Sequence, residues 1–153
     1  MTEHSTGTGP APDVAGSWSL LGWRTVDAAG ATIGYPFGEH ASGTVFYSPG
    51  GAMQGQLAAE HRPQLATSDP IGGSESDRAA AYSSYVAYWG RYRLEPGRIV
   101  HVVQSSLFPG WIGGEQVRYA TLTDDVLTLR TPPTEVAGTV LVHELRWQRQ
   151  ERW

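Results

Sequence analysis

Cysteine is absent from the 153 residues of the chain. This absence excludes a disulfide framework, a thiolate metal site and a cysteine nucleophile, and it suits a reducing compartment such as the cytoplasm. A chain of this length can still bury roughly two thirds of its unfolded surface in a single core. The sequence therefore predicts one ordinary cytoplasmic domain that needs no covalent cross-links.

Runs of basic residues and long apolar runs are also absent. Eleven basic side chains against fifteen acidic ones give a formal charge of -4, so neither nucleic acid nor an anionic membrane is an expected partner. No apolar segment is long enough to span a bilayer. Residues 1–15 lack the positive start and the apolar stretch of a signal peptide, and they are predicted to be a disordered tail. The folded domain is then expected to span residues 16–153.

Metal-binding and cofactor motifs are missing as well. The five histidines are scattered without the spacing of a zinc site, and the sequence contains neither a calcium loop nor a phosphate-binding glycine loop. No metal and no cofactor are therefore expected.

Short apolar and aromatic stretches, separated by clusters of Gly, Pro, Asp and Ser, are what the chain does contain. Each stretch is rich in β-branched or aromatic residues, which is typical of antiparallel strands. Eight strands are predicted: Ser17–Val26, Gly43–Tyr47, Ala52–Leu57, Ala87–Leu94, Ile99–Ser105, Gln116–Leu122, Val126–Arg130 and Thr139–Gln148. Turn sequences at Ser48–Gly51, Glu95–Gly97 and Thr123–Asp125 predict hairpins between three pairs of them.

One helix and one long loop interrupt this pattern. The segment from Ser74 to Tyr85 has a capping serine, Ser74 or Ser76, followed by acidic residues and three alanines, so a short helix is predicted. The stretch Ala58–Gly73 has no periodicity and contains two prolines. It is predicted to be a long loop of the kind that forms a lid or a binding loop.

An antiparallel sheet of eight strands has to protect its edges, and closure into a barrel removes them. Short sequential hairpins favour an all-β, up-and-down antiparallel barrel with one short helix over the competing two-sheet sandwich. The interior of an eight-stranded barrel is just wide enough for side chains or for one small ligand.

Several motifs follow one another in the order found in a known family. The segment Gly16-Ser17-Trp18 is similar to the G-x-W of lipocalins, and Trp147-x-Arg149 closes the last strand. Between them lie Phe46–Met53, Ala87–Tyr92, His101 with Ser106–Trp111, Gly114–Arg118 and Leu127–Leu129. The chain resembles the bacterial and fungal lipocalin-like domain family over most of its length after residue 16.

The resemblance implies a lipocalin-like β-barrel in which Trp18 packs under Arg149 at one end. It also implies a relationship to proteins that look like ligand binders, cyclases and isomerases of secondary metabolism. A fold shared by such different functions does not identify one of them.

Side-chain alternation indicates which residues face the interior. It places His101, Val103 and Ser105 on one face of the fifth predicted strand, and Gln116 and Arg118 on one face of the sixth. A polar cluster inside an apolar barrel is therefore expected.

His101 and Arg118 are the candidate catalytic residues. His101 is suited to act as a general acid or base near neutral pH, or alternatively it is a core histidine hydrogen-bonded to a tyrosine. Arg118 is suited to hold an enolate or carboxylate oxygen, or alternatively it forms a buried salt bridge with Glu115 or Glu144.

Six further residues are candidate ligand contacts. Tyrosine hydroxyls can orient a carbonyl group while the rings form an apolar wall, although packing alone also explains them. A tryptophan at the rim can cover a ligand, and a methionine supplies a flexible wall. These residues are Tyr88, Tyr92, Ser105, Trp111, Gln116 and Met53.

Three functional hypotheses follow. The first is a cofactor-independent cyclase or isomerase that acts on a polyketide-like or terpenoid intermediate, with His101 moving a proton. The second is a carrier that binds or sequesters a small hydrophobic molecule with a polar end. The third is an interaction domain with a filled interior. The sequence leaves open whether the chain forms a homodimer.

Overall fold

The structure, a computed structural model, describes residues 13–151. This range contains ten strands, one α-helix and one turn of 3-10 helix. Their bounds are β1 (Gly16–Val26), β2 (Thr32–Gly34), β3 (Ser42–Tyr47), β4 (Ala52–Ala58), α1 (Glu75–Ser83), β5 (Tyr85–Glu95), β6 (Arg98–Ser106), the 3-10 turn (Pro109–Trp111), β7 (Glu115–Thr123), β8 (Val126–Arg130), β9 (Thr134–Val136) and β10 (Thr139–Arg149).

The strands form a closed antiparallel barrel. β1, β3, β4, β5, β6, β7 and β8 pair in that order, β8 pairs with β10, and β10 pairs back with β1. The short strands β2 and β9 extend β1 and β10 beyond the barrel wall. This topology confirms the predicted eight-stranded up-and-down barrel and excludes the two-sheet sandwich.

Three tight hairpins lie at one end of the barrel, as the turn sequences predicted. In the first, the Ser48 hydroxyl accepts a hydrogen bond from the Ala52 backbone N–H, and Gly51 has a positive φ of 93° that favours glycine. In the third, Asp124 has a φ of 54°, a conformation that aspartate tolerates better than most residues. We call this end of the barrel the closed end.

A tryptophan and an arginine seal the closed end. The Trp18 side chain is fully buried, and its indole N–H donates to the Val14 carbonyl oxygen at 2.9 Å. The Arg149 guanidinium lies 4.3 Å from the Trp18 ring centroid and donates to the carbonyl oxygens of Asp13 and Ala15. Such stacking contributes on the order of 1 kcal/mol, and the hydrogen bonds fix the chain leading into β1.

The predicted tail of residues 1–15 lies outside the described residues except for its last three. Within those three, Val14 is 1% exposed and belongs to the core. Chain segments therefore pack against the barrel from residue 13 onward.

The predicted helix is present and slightly shorter than expected. Ser74, rather than Ser76, caps α1, and its hydroxyl accepts from the Asp77 backbone N–H. The loop before it is anchored to the end of α1, because Arg62 donates to the Ala81 carbonyl and the Ser84 hydroxyl. None of the helices among the described residues has the length and apolar character needed to cross a membrane.

A β-bulge in β6 changes the predicted faces of that strand. Trp89 pairs with Ser105 whereas Gly90 pairs with Val103, so Gln104 is an extra residue. Alternation therefore shifts by one after Val103. The expectation that Ser105 shares the inner face of His101 is wrong, because Ser105 lies opposite the exposed Trp89 and Ser106 lies opposite Tyr88.

The bulge requires a glycine on the neighbouring strand. A Cβ atom on Gly90 would overlap the carbonyl oxygen of Val102. We expect Gly90→Ala to lower the free energy of unfolding by about 2–3 kcal/mol, the usual effect of overpacking, measured by urea denaturation.

Gly22→Ala in β1 is the matched control, because a Cβ atom there meets nothing within 4 Å. It should leave stability within about 1 kcal/mol of the wild type. Equal losses in the two variants would contradict a specific backbone contact at Gly90.

Candidate functional site

A histidine lies between two tyrosines at the centre of the barrel. The Tyr47 hydroxyl is 2.7 Å from His101 Nε2, and the Tyr88 hydroxyl is 2.7 Å from His101 Nδ1. Tyr47 is fully buried and His101 is 2% exposed. The alternative that His101 is a core histidine bonded to a tyrosine is therefore what the structure shows, with two tyrosines instead of one.

The surroundings of this triad keep it uncharged. Burial lowers the pKa of His101 to about 3, and the nearby positive charge of Arg118 adds to this effect. Burial also raises the pKa values of Tyr47 and Tyr88 above their ordinary range. A neutral imidazole has one donor and one acceptor nitrogen, so one tyrosine donates to His101 and the other accepts from it.

Arg118 has no carboxylate partner among residues 13–151. Its guanidinium donates to the Val117 carbonyl oxygen at 2.9 Å and to Gln116 Oε1 at 3.3 Å. The proposed acidic partners are engaged elsewhere: Glu115 pairs with Arg93, and Glu144 pairs with two other arginines. The alternative of a salt bridge from Arg118 to Glu115 or Glu144 is therefore wrong.

A small cavity of about 40 Å³ lies inside the barrel next to these groups. Its wall is largely apolar and includes side chains such as Leu129 and Leu145, and Tyr88, His101, Arg118, Trp147 and Gln56 also contribute to it. Trp147 is 4% exposed, and its indole N–H is buried without a hydrogen-bond partner. Buried donors of this kind are rare in native proteins and call for an explanation.

An apolar groove of about 290 Å³ lies at the opposite end from the hairpins, which we call the mouth. Residues of α1, the start of β5 and the segment after β6 line it: Phe37, Tyr82, Ser83, Tyr85, Val86, Leu107, Phe108 and Trp111. Val86 lines both this mouth groove and the central cavity. Trp111 packs edge-on against Tyr88, with ring centroids 5.6 Å apart. The groove is therefore an apolar surface that adjoins the polar cluster.

A larger depression, of about 490 Å³, lies on the outside of the barrel and has different chemistry. Arg24 and Arg130 flank it, and both form ion pairs with the buried carboxylate of Glu144. The charges of these three groups are already paired across neighbouring strands. We therefore regard the depression as the outer surface of an ionic ladder and place the candidate site in the interior.

The structure brings four of the predicted site residues together. His101, Arg118 and Tyr88 line the cavity, and Gln116 orients Arg118 by accepting its hydrogen bond. Trp111 joins them from the mouth through Tyr88.

The other three predicted residues lie apart from the cavity. The Tyr92 hydroxyl donates to the Ser48 carbonyl oxygen in a closed-end hairpin. Met53 is buried in the core beside Tyr47, its pairing partner, and Ser105 is on the outer side of the bulge. Of the two roles that the sequence allows for Tyr92, ligand contact or packing, the structure therefore shows packing.

Sequence reasoning does not name two groups of this region as site residues: Tyr47, which contacts His101, and Trp147, which lines the cavity. Tyr47 shares a face with Val45 in β3, and alternation alone would have placed it inside, but nothing in the sequence joins it to His101. Alternation places Trp147 on the same face of the last strand as Leu145, but no pattern in the sequence marks it as a ligand contact. No group of three or more potential metal ligands occurs within the described part of the chain.

The depressed pKa of His101 predicts a specific pH dependence of stability. The unfolded chain binds a proton near the ordinary pKa of 6.5, whereas the folded protein does so only near 3. The contribution of the neutral His101 to the free energy of unfolding is therefore complete above pH 6.5, and it is lost as the pH falls toward 3. Between about pH 7 and pH 5 the loss should be about 2 kcal/mol.

The measurement is urea denaturation at both pH values for the wild type and His101→Gln, which retains a hydrogen-bonding group but cannot titrate. The variant should lose about 2 kcal/mol less than the wild type. His61→Gln, at a side chain that is 92% exposed, should behave like the wild type. A wild-type His101 imidazole, assigned by its loss in His101→Gln, that titrates near 6.5 by NMR would contradict the buried neutral state.

Comparisons with known proteins agree with this architecture. A family model described as a lipocalin-like domain matches residues 15–150. The chain is 28% identical over 109 residues to a protein of Aspergillus oryzae (strain ATCC 42149 / RIB 40) named 4'-hydroxy-3'-methoxypropiophenone carrier protein ppsC. The match covers 65% of this chain and 98% of that protein. No solved structure matches the chain at a significant level. With its closed barrel and a family match over nearly all of the described residues, the chain belongs to the lipocalin-like domain family.

Proposed function

We propose that the protein is a carrier that binds a small, largely apolar molecule with a polar end and releases it chemically unchanged. The observation that carries this proposal is the adjacency of the apolar mouth groove and the central cavity, which share Val86. Arg118 and Tyr88 contribute to the wall of the cavity. An apolar surface with a few converging polar groups is the usual form of a small-molecule site. The relative from Aspergillus, which is named as a carrier of an aromatic ketone, supports the same function.

The dimensions favour a ligand of about one substituted ring. The cavity of about 40 Å³ holds no more than a polar head group, whereas the groove of about 290 Å³ offers room for an apolar body. Sites for drug-sized ligands usually begin at about 300 Å³. We therefore expect the ligand to place its body in the mouth groove and its polar end toward Arg118.

A cyclase or isomerase is the second candidate, and one observation favours it. The Tyr88 hydroxyl lines the cavity and is hydrogen-bonded to His101, so the pair is placed to pass a proton to a bound molecule. Against it, both His101 nitrogens are occupied and the imidazole is a weak base with a pKa of about 3. The sequence also has neither lysine nor cysteine for covalent catalysis.

The third hypothesis, an interaction domain with a filled interior, has less support. A domain that works only through its outer surface does not need Arg118 and other donor groups around an interior cavity. We therefore give preference to functions that place a small molecule inside the barrel.

Calorimetric titration with 4'-hydroxy-3'-methoxypropiophenone tests the proposal. Wild-type protein should bind it, and Val86→Trp should weaken binding at least about tenfold by filling the junction of groove and cavity. Val140→Trp is the control, because Val140 is 40% exposed and lines neither space. Thermal unfolding should show that both variants are folded.

The fate of the ligand separates the two candidates. After prolonged incubation, chromatography and mass spectrometry should return the unchanged ketone from wild-type protein. An altered product that is not formed by the Tyr88→Phe variant would contradict the carrier and support the enzyme. Binding that is unaffected by Val86→Trp would contradict the proposed location.

A further inference from the structure

The cavity presents hydrogen-bond donors and very little to accept from a ligand. Arg118 is its one charged residue, and His101 is held neutral by burial. Trp147 contributes an indole N–H, which can only donate. The amide oxygens of Gln116 and Gln56 are acceptors near the cavity, and they are already bonded to Arg118 and to the Tyr85 hydroxyl. The wall of this largely apolar cavity therefore holds one positive charge and no negative one.

One of the two principal donors lacks an anionic partner and the other lacks any partner. The Arg118 guanidinium donates to a backbone carbonyl and to an amide oxygen and lies within hydrogen-bonding reach of the Tyr88 hydroxyl, but no carboxylate among residues 13–151 balances its charge. The Trp147 N–H is buried without a partner. A buried donor without a partner is costly, so a ligand that accepts from this N–H and neutralises Arg118 gains both interactions.

The other polar clusters of the interior are bonded internally, and in one of them the Trp23 indole N–H donates to His143 Nδ1 at 3.1 Å. Tyr47, His101 and Tyr88 satisfy one another through two hydrogen bonds of 2.7 Å. Trp18, a second buried indole, donates to the Val14 carbonyl. Within residues 13–151 the Trp147 N–H is thus the one buried side-chain donor without a partner.

We infer that the ligand ends in a carboxylate, which Arg118 and the Trp147 indole N–H bind in the central cavity. This inference rests on the proposed carrier function and specifies the chemistry of its ligand. A carboxylate supplies two acceptor oxygens and the single negative charge that neutralises Arg118. A cavity of about 40 Å³ accommodates a head group of that size next to the mouth groove.

Paired ligands that differ only at the polar end test the inference. The probes are 3-(4-hydroxy-3-methoxyphenyl)propanoic acid and its methyl ester, titrated by calorimetry at neutral pH. Wild-type protein should bind the acid at least about tenfold more tightly than the ester, because hydrogen bonds to charged groups are stronger. An ester that binds as tightly as the acid would overturn the inference.

Two variants separate the charge from the hydrogen bond. Arg118→Gln should remove the preference for the acid and change the affinity for the ester by less than about threefold. Trp147→Phe should weaken both ligands by about threefold to tenfold, because acid and ester each offer a carbonyl acceptor. Arg146→Gln, at an exposed position on the outer face, is the matched control. A preference for the acid that survives Arg118→Gln would also overturn the inference.

Acetate provides a readout that does not depend on the apolar body. Titration with sodium acetate should produce a saturable NMR shift of the Trp147 indole N–H in the wild type and a much weaker one in Arg118→Gln. Sodium chloride at the same concentrations is the control for ionic strength. If acetate shifts this signal but neither ring-bearing probe binds, the carrier proposal fails and the carboxylate site stands. If the ring-bearing probes bind without a preference for the acid and acetate has no effect, the carrier stands and the carboxylate site is wrong.

Discussion

Pairing between β1 and β10 closes the sheet, and the properties of the interior depend on that closure. An open sheet of this length would leave two edges and expose its inner face to water. In the observed register Trp18 lies opposite Arg149, Leu20 opposite Trp147 and Trp23 opposite Leu145. The same pairing therefore builds the seal at the closed end and one wall of the central cavity.

Closure makes every polar group inside the barrel costly unless it is bonded, and the interior meets this constraint in two ways. The Tyr47, His101 and Tyr88 side chains bond one another and remain neutral, so they are complete without a ligand. Arg118 and Trp147 retain donor capacity that the described part of the chain does not use. The first cluster explains how the core is stabilised, and the second explains why a ligand is expected.

Local rules predicted most of the fold and only part of the site. Alternation, turn residues and edge closure were enough for eight strands and their order, whereas β2 and β9 were missed because each has three mostly exposed residues. Parity placed His101 and Arg118 correctly but failed at Ser105, because one extra residue at Gln104 reverses the faces. The contact between Tyr47 and His101 spans 54 residues and three strands, and no local pattern encodes it.

The electrostatics of the interior connect these observations to the choice of ligand. Arg118 disfavours a second positive charge nearby and contributes to the low pKa of His101. The triad therefore stays neutral at physiological pH, and the cavity holds one net positive charge. A singly charged anion brings that sum to zero, whereas a neutral ligand leaves the charge of the half-buried guanidinium uncompensated. The same neutrality that makes His101 a poor catalytic base thus makes the cavity selective for an anionic group.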